Sequence, residues 1–422
     1  MNLAVIGSGG REHSICYKLK ESPKIKKLFC IPGNAGTKNI AENIYEDISN
    51  FEALYAIIKK KNIDMVVVGP EQPLVDGLVD FLDKKRIRVF GPDKFSSQLE
   101  GSKAFMKNLC KKNNIPTAKY EIFDNFEKAS NFIKKNKIPI VVKANGLAAG
   151  KGVSICTSVE EALKKTNEII EGKFKSSKQV ILEEFLEGEE LSYFVIADKN
   201  SYLFFGSAQD HKQVGEGDVG PNTGGMGAYS PSPLLTKKLE EKIKKKIIEP
   251  TLKGMKNLGI SYKGFLYAGL MIKKGEPYLI EFNIRMGDPE CQVIMMRLKT
   301  DLLEIIDRAT QNKISNLKIK WSKKSAMTIV LCARGYPHNY IKDSEIKNLK
   351  NVAVDKNNQI FHAGTYEKNN KTYSNGGRVI NVTSSAENLK EARKEIISNI
   401  KKINWTDGFF RKDIGWRAIN NK

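Results

Sequence analysis

The chain has 422 residues, more than one ordinary core requires, and this length predicts roughly two to four domains. Its 41% apolar and 28% charged residues match a soluble globular protein with a sizeable core, and no apolar run is long enough to span a bilayer. The net charge of +22 comes mostly from lysines spread over helix-like segments such as Lys237–Lys246. They are not interleaved with aromatics, so we expect no nucleic-acid partner, although such a surface attracts phosphorylated substrates.

The N-terminus has no basic, apolar and cleavage-site succession of a signal peptide, and we expect no membrane partner. Six dispersed cysteines without a C-x-x-C pair predict free thiols in a reducing cytoplasm rather than a zinc site or disulfide framework.

Residues 2–6 predict a buried strand, followed by Gly7-Ser8-Gly9-Gly10 and a helix through Lys20. Apolar runs at Leu28–Ile31, Met65–Val68 and Val89–Phe90, with helical patterns between them, predict a small doubly wound parallel sheet. A helix over 101–113 leads to a second α/β unit, with strands at Pro139–Ala144, Val153–Cys156 and Val180–Phe185 and a helix at Val159–Gly172. Leu186–Gly188 is a predicted hinge, and Gln209–Pro233 a long irregular loop of the kind that usually carries function. Further on we expect a helix at Thr236–Leu258, strands at Phe265–Ile272 and Tyr278–Asn283, and one helix over Gln292–Gln311. The last unit, from Ala326, has strands at Met327–Leu331 and Arg378–Val382 and a helix at Ala386–Ile403.

Five constellations carry chemistry. The turn Gly7–His13 places glycines between a strand and a helix, where backbone N–H groups can approach a phosphate. Glu12 stands where the dinucleotide fingerprint needs glycine, and Arg11 favours a phosphate monoester, although a plain turn also fits. Lys143 ends a strand before a loop containing Gly146, Gly150, Lys151 and Gly152, able to neutralise and cover nucleotide phosphates or to be simply a hairpin tip. The apolar strand Val180–Leu186 with Glu189 and Glu190 could read adenine and ribose, or be ordinary core. Glu281, Asn283 and Arg285 alternate and so share one strand face; the oxygens suit Mg²⁺, and the guanidinium suits a transferring phosphoryl group. In the long loop, Asp210 could hold an amino group, and the Thr223–Gly225 amides a carboxylate or phosphate.

Together these segments resemble the ATP-grasp ligases and, more narrowly, the phosphoribosylamine–glycine ligase family. The likeness runs in order through GSGGREH (7–13), PGNAGT (32–37), VGPEQPL (68–74), LEGSKAF (99–105), KANGLAAGKGV (143–153) and EEFLEGE (183–189). It continues through QDHK (209–212), GPNTGGMGAYSP (220–231), IEFNIRMGDPE (280–290), HAGT (362–365), NGGRV (375–379) and RKDIGWRAI (411–419). The resemblance implies an α/β and α+β fold: a doubly wound parallel-sheet domain over 1–102, an ATP-grasp subdomain pair over 103–325 with a lid at about 117–187, and a small α+β domain over 326–422. It implies ATP-dependent joining of glycine to 5-phosphoribosylamine through a glycyl phosphate, by a cytoplasmic monomer using Mg²⁺ or Mn²⁺.

Carried over by motif, Lys103 and Lys143 would contact ATP phosphates under the loop with Gly150, Lys151 and Gly152. Glu183, Glu184, Phe185 and Leu186 would hold adenine, and Glu189 or Glu190 the ribose. Glu281 and Asn283 would hold the metal, and Arg285 the acyl phosphate. Gly9, Gly10, Arg11 and Glu12 would bind the aminosugar phosphate. Asp210, Lys212, Asn222 and Thr223 would frame glycine and the amine, with Gly224, Gly225, Asp288 and Arg378 also on the substrate side. Two departures stand out. The strand Tyr267–Met271 lacks the acidic metal ligand of many ATP-grasp enzymes, and Met286 replaces an expected aromatic. Rival readings are a sibling such as biotin carboxylase, a nicotinamide oxidoreductase suggested only by the N-terminal glycines, and a nucleic-acid-binding module suggested only by charge.

Overall fold

The computed structural model describes residues 1–148, 152–174 and 177–420. The N-terminal strand Asn2–Gly7 lies at the centre of a five-stranded parallel sheet. Lys27–Pro32 and Glu42–Asn43 lie to one side, and Met65–Val68 and Arg88–Phe90 to the other. Both faces are covered, which is why these strands read as continuous apolar runs. The strand order reverses beside Asn2–Gly7, so the Gly7–Gly10 turn opens at the crevice where such sheets bind ligands.

The following helix, Gly10–Lys20, is buried nearly all round because helix Glu290–Arg297 and strand Asn358–His362 pack against it. Gly10 permits that approach: a Cβ there would lie 2.5 Å from Gln292 Nε2 and 2.6 Å from Asn381 Nδ2.

An antiparallel sheet of Tyr120–Phe123, Val180–Glu184, Ile140–Ala144 and Val153–Cys156 carries helices Phe126–Lys135 and Val159–Ile170. The largest sheet runs from Glu276–Asn283 through Gly264–Lys273, Glu189–Ala197, Tyr202–Asp210, Gly227–Ser230, Ser325–Ala333 and Arg378–Ala386 to Asn358–His362.

Three expectations change here. The segment Gln209–Pro233 is not wholly irregular. It holds a hairpin, Gln213–Gly215 with Val219–Asn222, and the strand Gly227–Ser230, which joins the last unit to the middle of the chain in one sheet. The helix expected over Gln292–Gln311 is two, Glu290–Arg297 and Leu302–Thr310. Leu298 turns extended to bridge Trp321, and the Asp301 carboxylate accepts from Leu303 N at 2.8 Å to start the second helix. The helix expected over Thr236–Leu258 contains a π-turn at Lys244–Ile248, just before Pro250, whose ring nitrogen has no hydrogen to donate.

Two buried histidines join the first and last units. The backbone N–H of His362 donates to His13 Nδ1 at 2.8 Å, and the rings lie 5.7 Å apart. Burial depresses both imidazoles, His362 to about 4, and His13 is lowered further by its neighbour. Each is neutral in the fold and readily protonated once unfolded, so their contribution is complete above about pH 6.5. It is lost as pH falls from there towards 4, by about 3 kcal/mol for His362 alone. Unfolding midpoints measured from pH 7 to 4.5 should therefore fall more steeply for the native chain than for His362→Gln.

Candidate active site

A cavity of about 350 Å³ opens where the three sheets meet. Strand Glu276–Asn283 supplies its floor. Period-two alternation sends Phe282 into the core and turns Glu281 and Asn283 into the cavity. Neither side chain makes a hydrogen bond or ion pair with another described residue. Burial would raise the Glu281 pKa, but Lys212, Lys143, Lys103 and Arg285 outweigh it and keep the group ionised. An unpartnered carboxylate beside an unpartnered amide oxygen fits a hard divalent cation that completes its shell with water and phosphate oxygens. No group of three or more acidic, histidine or cysteine side chains able to hold a metal occurs among the described residues.

On one side lie the lysines. Helix Lys103–Lys112 begins at Ser102, whose hydroxyl accepts from Phe105 N, and its first residue donates through Lys103 Nζ to Gly146 O at 2.9 Å. Lys143 is held at 2.9 Å from Glu183 Oε2, and the same oxygen lies 3.1 Å from Lys107 Nζ. Lys107 is 0% exposed, sits one turn beyond Lys103, and was given no role by the sequence reading. Glu183 thus contributes a buried side-chain counter-ion besides any backbone contact to adenine. Gly152 lines the cavity, while Gly150 and Lys151 lie outside the described residues.

The other residues expected at adenine and ribose stand back from the cavity. The exposed Glu184 accepts from Lys119 N, Phe185 and Leu186 follow it out of the strand, and Glu189 is exposed. Glu190 pairs with Lys212 Nζ at 2.6 Å.

Opposite, Arg285 is clamped between two acids. Its Nη2 lies 2.7 Å from Glu100 Oε1 and its Nε 3.1 Å from Glu71 Oε2, while Glu100 Oε2 accepts from Ile284 N at 2.8 Å. Burial pushes Glu100 up to about 7 despite Arg285. Burial acts on Glu71 too, but the two guanidinium groups of Arg285 and Arg11 prevail and hold it down to about 2. Glu71 and Glu100 both fall inside quoted motifs, yet nothing local announces that Arg285 is their partner.

The N-terminal turn differs from expectation. Gly9 N donates to Glu12 Oε2 at 2.6 Å, and Arg11 N to Asp288 Oδ2 at 3.3 Å, so carboxylates already occupy amides expected to face a phosphate. Glu12 is a buried bracket that also takes Arg11 Nε at 2.7 Å. Arg11 still lines the cavity, with Nη1 on Met286 O.

The long loop needs a similar correction. Thr223 N donates to Lys212 O, Gly224 N to Tyr336 Oη, and Gly225 N to Thr223 Oγ1, so none of the three amides is free for a ligand. Asn222 is exposed, and neither it nor Gly225, which packs on Pro289, lines the cavity. Asp210, Lys212, Thr223, Gly224, Asp288 and Arg378 do line it. Arg378 Nη1 binds the backbone oxygens of Gly224 and Asp288. Asp210 is pushed up to about 8, first by burial and then by Glu290 and Glu190, against the pull of Lys212. Tyr267 and Glu290, both bonded to Ser192 Oγ, complete this wall without having been singled out from sequence.

Family models described as Phosphoribosylglycinamide synthetase N domain, ATP-grasp (A) domain and C domain match residues 1–100, 101–291 and 326–417. The phosphoribosylamine–glycine ligase of Brucella melitensis is 47% identical over 100% of this chain and 99% of its own length. The chain belongs to the phosphoribosylamine–glycine ligase family. Its chloroplastic relative from Arabidopsis thaliana is 49% identical, covering 98% of this chain and 79% of that protein. The crystal structure of the Thermotoga maritima family member superposes with a TM-score of 0.85 at 33% identity, over 98% of this chain and 100% of that one. The same fold recurs in the biotin carboxylase domain of Hydrogenobacter thermophilus 2-oxoglutarate carboxylase, with a TM-score of 0.74 at 17% identity over 97% of this chain and 91% of that one. That protein was solved with MgADP and bicarbonate. Family membership thus bears out the expected ligase class and the three-part α/β and α+β architecture.

Proposed function

We propose that this chain joins glycine to 5-phosphoribosylamine at the expense of ATP, through a glycyl phosphate, giving glycinamide ribonucleotide, ADP and phosphate. One observation supports the reading above the others. Lys103, Glu281 and Asn283 share a single cavity with Asp210, Lys212, Arg11 and Arg285, and Lys143 stands close enough to act on the Glu281 charge.

A carboxylate is a poor acylating agent until one of its oxygens becomes part of a leaving group. A glycine carboxylate oxygen attacks the γ-phosphorus, the bond to the bridging oxygen breaks, and ADP leaves. The amine nitrogen then attacks the acyl carbon, the bond to the phosphate oxygen breaks, and the amine proton passes to Asp210. Burial raises the Asp210 pKa to about 8, which makes the carboxylate a stronger base, and the ionised form that takes the proton is the one Lys212 favours. Lys103 and Lys143 neutralise the nucleotide phosphates, the 146–152 loop covers them, and the 183–186 backbone takes adenine. Arg285 steadies charge on the acyl phosphate, while Arg11 draws the aminosugar phosphate. Glu281 and Asn283 hold Mg²⁺, with Mn²⁺ able to substitute; the ion supplies charge neutralisation at the phosphoryl oxygens when bound. The proposal includes a cytoplasmic monomer with unit boundaries near 102 and 325. Six free, buried cysteines support a reducing compartment.

ADP release should require ATP, Mg²⁺, glycine and freshly made 5-phosphoribosylamine together. Turnover with bicarbonate in place of glycine would refute the assignment and point to a sibling ligase.

A further inference from the structure

The last quoted motif, Arg411–Ile419, lines no part of the cavity, yet it is bound to the loop that does. We propose that this C-terminal segment is a clamp that sets the position of the acceptor-side wall, with Arg411 as its positioning residue. The proposal rests on the reading above that Asp210 and Lys212 frame the acceptor substrates.

Asp210, the last residue of its strand, and Lys212 beyond it both face the cavity, but His211 between them does not. It is 2% exposed, and its Nε2 accepts from Gly415 N at 3.2 Å. Gly415 turns with φ +80°, a conformation that strains any residue with a side chain, so glycine suits the turn that seats His211.

After Lys212 the chain leaves as the hairpin Gln213–Asn222 and returns at Thr223, whose N and Oγ1 both donate to Lys212 O at 2.8 and 2.7 Å. The hairpin therefore connects the two pieces of this wall. Its returning strand is exposed, with Val219 60% open, so apolar burial there does little to hold it.

Arg411 holds it instead. At 1% exposed, it donates through Nη1 to Gln213 O and Asp218 Oδ1, both at 2.9 Å. Its Nε and Nη2 grip Asp413 at 2.8 and 2.7 Å. Asp413 Oδ2 also accepts from Gly217 N, Glu216 Oε1 from Lys412 N, and Asp218 Oδ2 from Trp416 Nε1 and Arg417 Nη2. Two arginines and two aspartates balance in charge, and the rigid guanidinium fork serves hairpin and tail at once, which a lysine's point charge does not.

A tie that merely stabilised the fold would weaken every substrate alike. A positioning clamp acts on one side. In the full-length enzyme, Arg411→Lys and Asp218→Asn should each raise the KM for glycine or 5-phosphoribosylamine by about tenfold or more. The ADP dissociation constant, read by calorimetry, should stay within about twofold. Unchanged acceptor KM values, or a parallel loss of ADP affinity, would overturn the proposal. Asp218→Asn leaves the Arg411–Asp413 grip intact, and so decides the matter if Arg411→Lys does not fold. Lys212→Met separates the two ideas. If it leaves both acceptor KM values unchanged, the reading of this wall falls and the clamp with it. If it raises one while Asp218→Asn does not, the clamp alone falls.

Discussion

Replacing Glu281 by glutamine should lower turnover by about two to three orders of magnitude and raise the Mg²⁺ concentration needed for half-maximal rate. The side chain keeps its shape but loses the charge that Lys212, Lys143, Lys103 and Arg285 stabilise. Asn283 shares its strand face, and no group of three or more acidic, histidine or cysteine side chains among the described residues offers an alternative metal site. The fold should persist, with the thermal midpoint falling by no more than a few degrees, on the order of 1 kcal/mol, because the carboxylate has no protein partner to orphan. Initial rates across a Mg²⁺ titration, paired with a melting curve, test this. Native turnover at limiting Mg²⁺ would end the metal assignment.

The second large effect is on stability. Glu183→Gln leaves buried Lys107 with no carboxylate and Lys143 with only the more distant Glu281, because both ammonium groups converge on Glu183 Oε2. Breaking a buried pair in this way costs about 3–5 kcal/mol, far more than an exposed ion pair contributes. The pH dependence tells this apart from simple misfolding. Burial already lowers the Lys107 pKa while Glu183 opposes it, so removing the carboxylate lowers it further. A lysine with a depressed folded pKa is destabilising at low pH, and its penalty fades as pH rises towards its unfolded value. The gap in unfolding midpoint between variant and native chain should therefore be wider at pH 7 than at pH 9. An equal gap at both would mean that the lysines are not the cause.

Much of the site was legible because its elements obey local rules. Alternation at the end of an apolar strand singles out Glu281 and Asn283, and glycines between a strand and a helix mark the Gly7–Gly10 turn. The Ser102 cap opens the helix carrying Lys103. The errors share a cause. The Thr223–Gly225 amides looked free because their acceptors, Tyr336 Oη among them, come from folding. The helix expected over Gln292–Gln311 breaks because Leu298 finds a strand partner in Trp321, which no apolar period reveals. Lys107 reads as one more surface lysine in a lysine-rich chain until Glu183 meets it.

From residue order alone came most strands of the first unit and most helices, the glycine turns, the metal-type oxygens on one strand face and the resemblance to a ligase family, but not the strands Glu189–Ala197 and Tyr202–Asp210 in the middle of the largest sheet. Backbone geometry imposes those patterns within a few residues. Tertiary structure alone decided which charge answers which: Arg285 with Glu71 and Glu100, 214 and 185 residues away, Lys143 and Lys107 with Glu183, and Arg411 with Asp218. Ion pairing carries no sequence period. A buried charge takes the partner that packing brings within reach, and that reach is set by sheets whose strands come from distant parts of the chain.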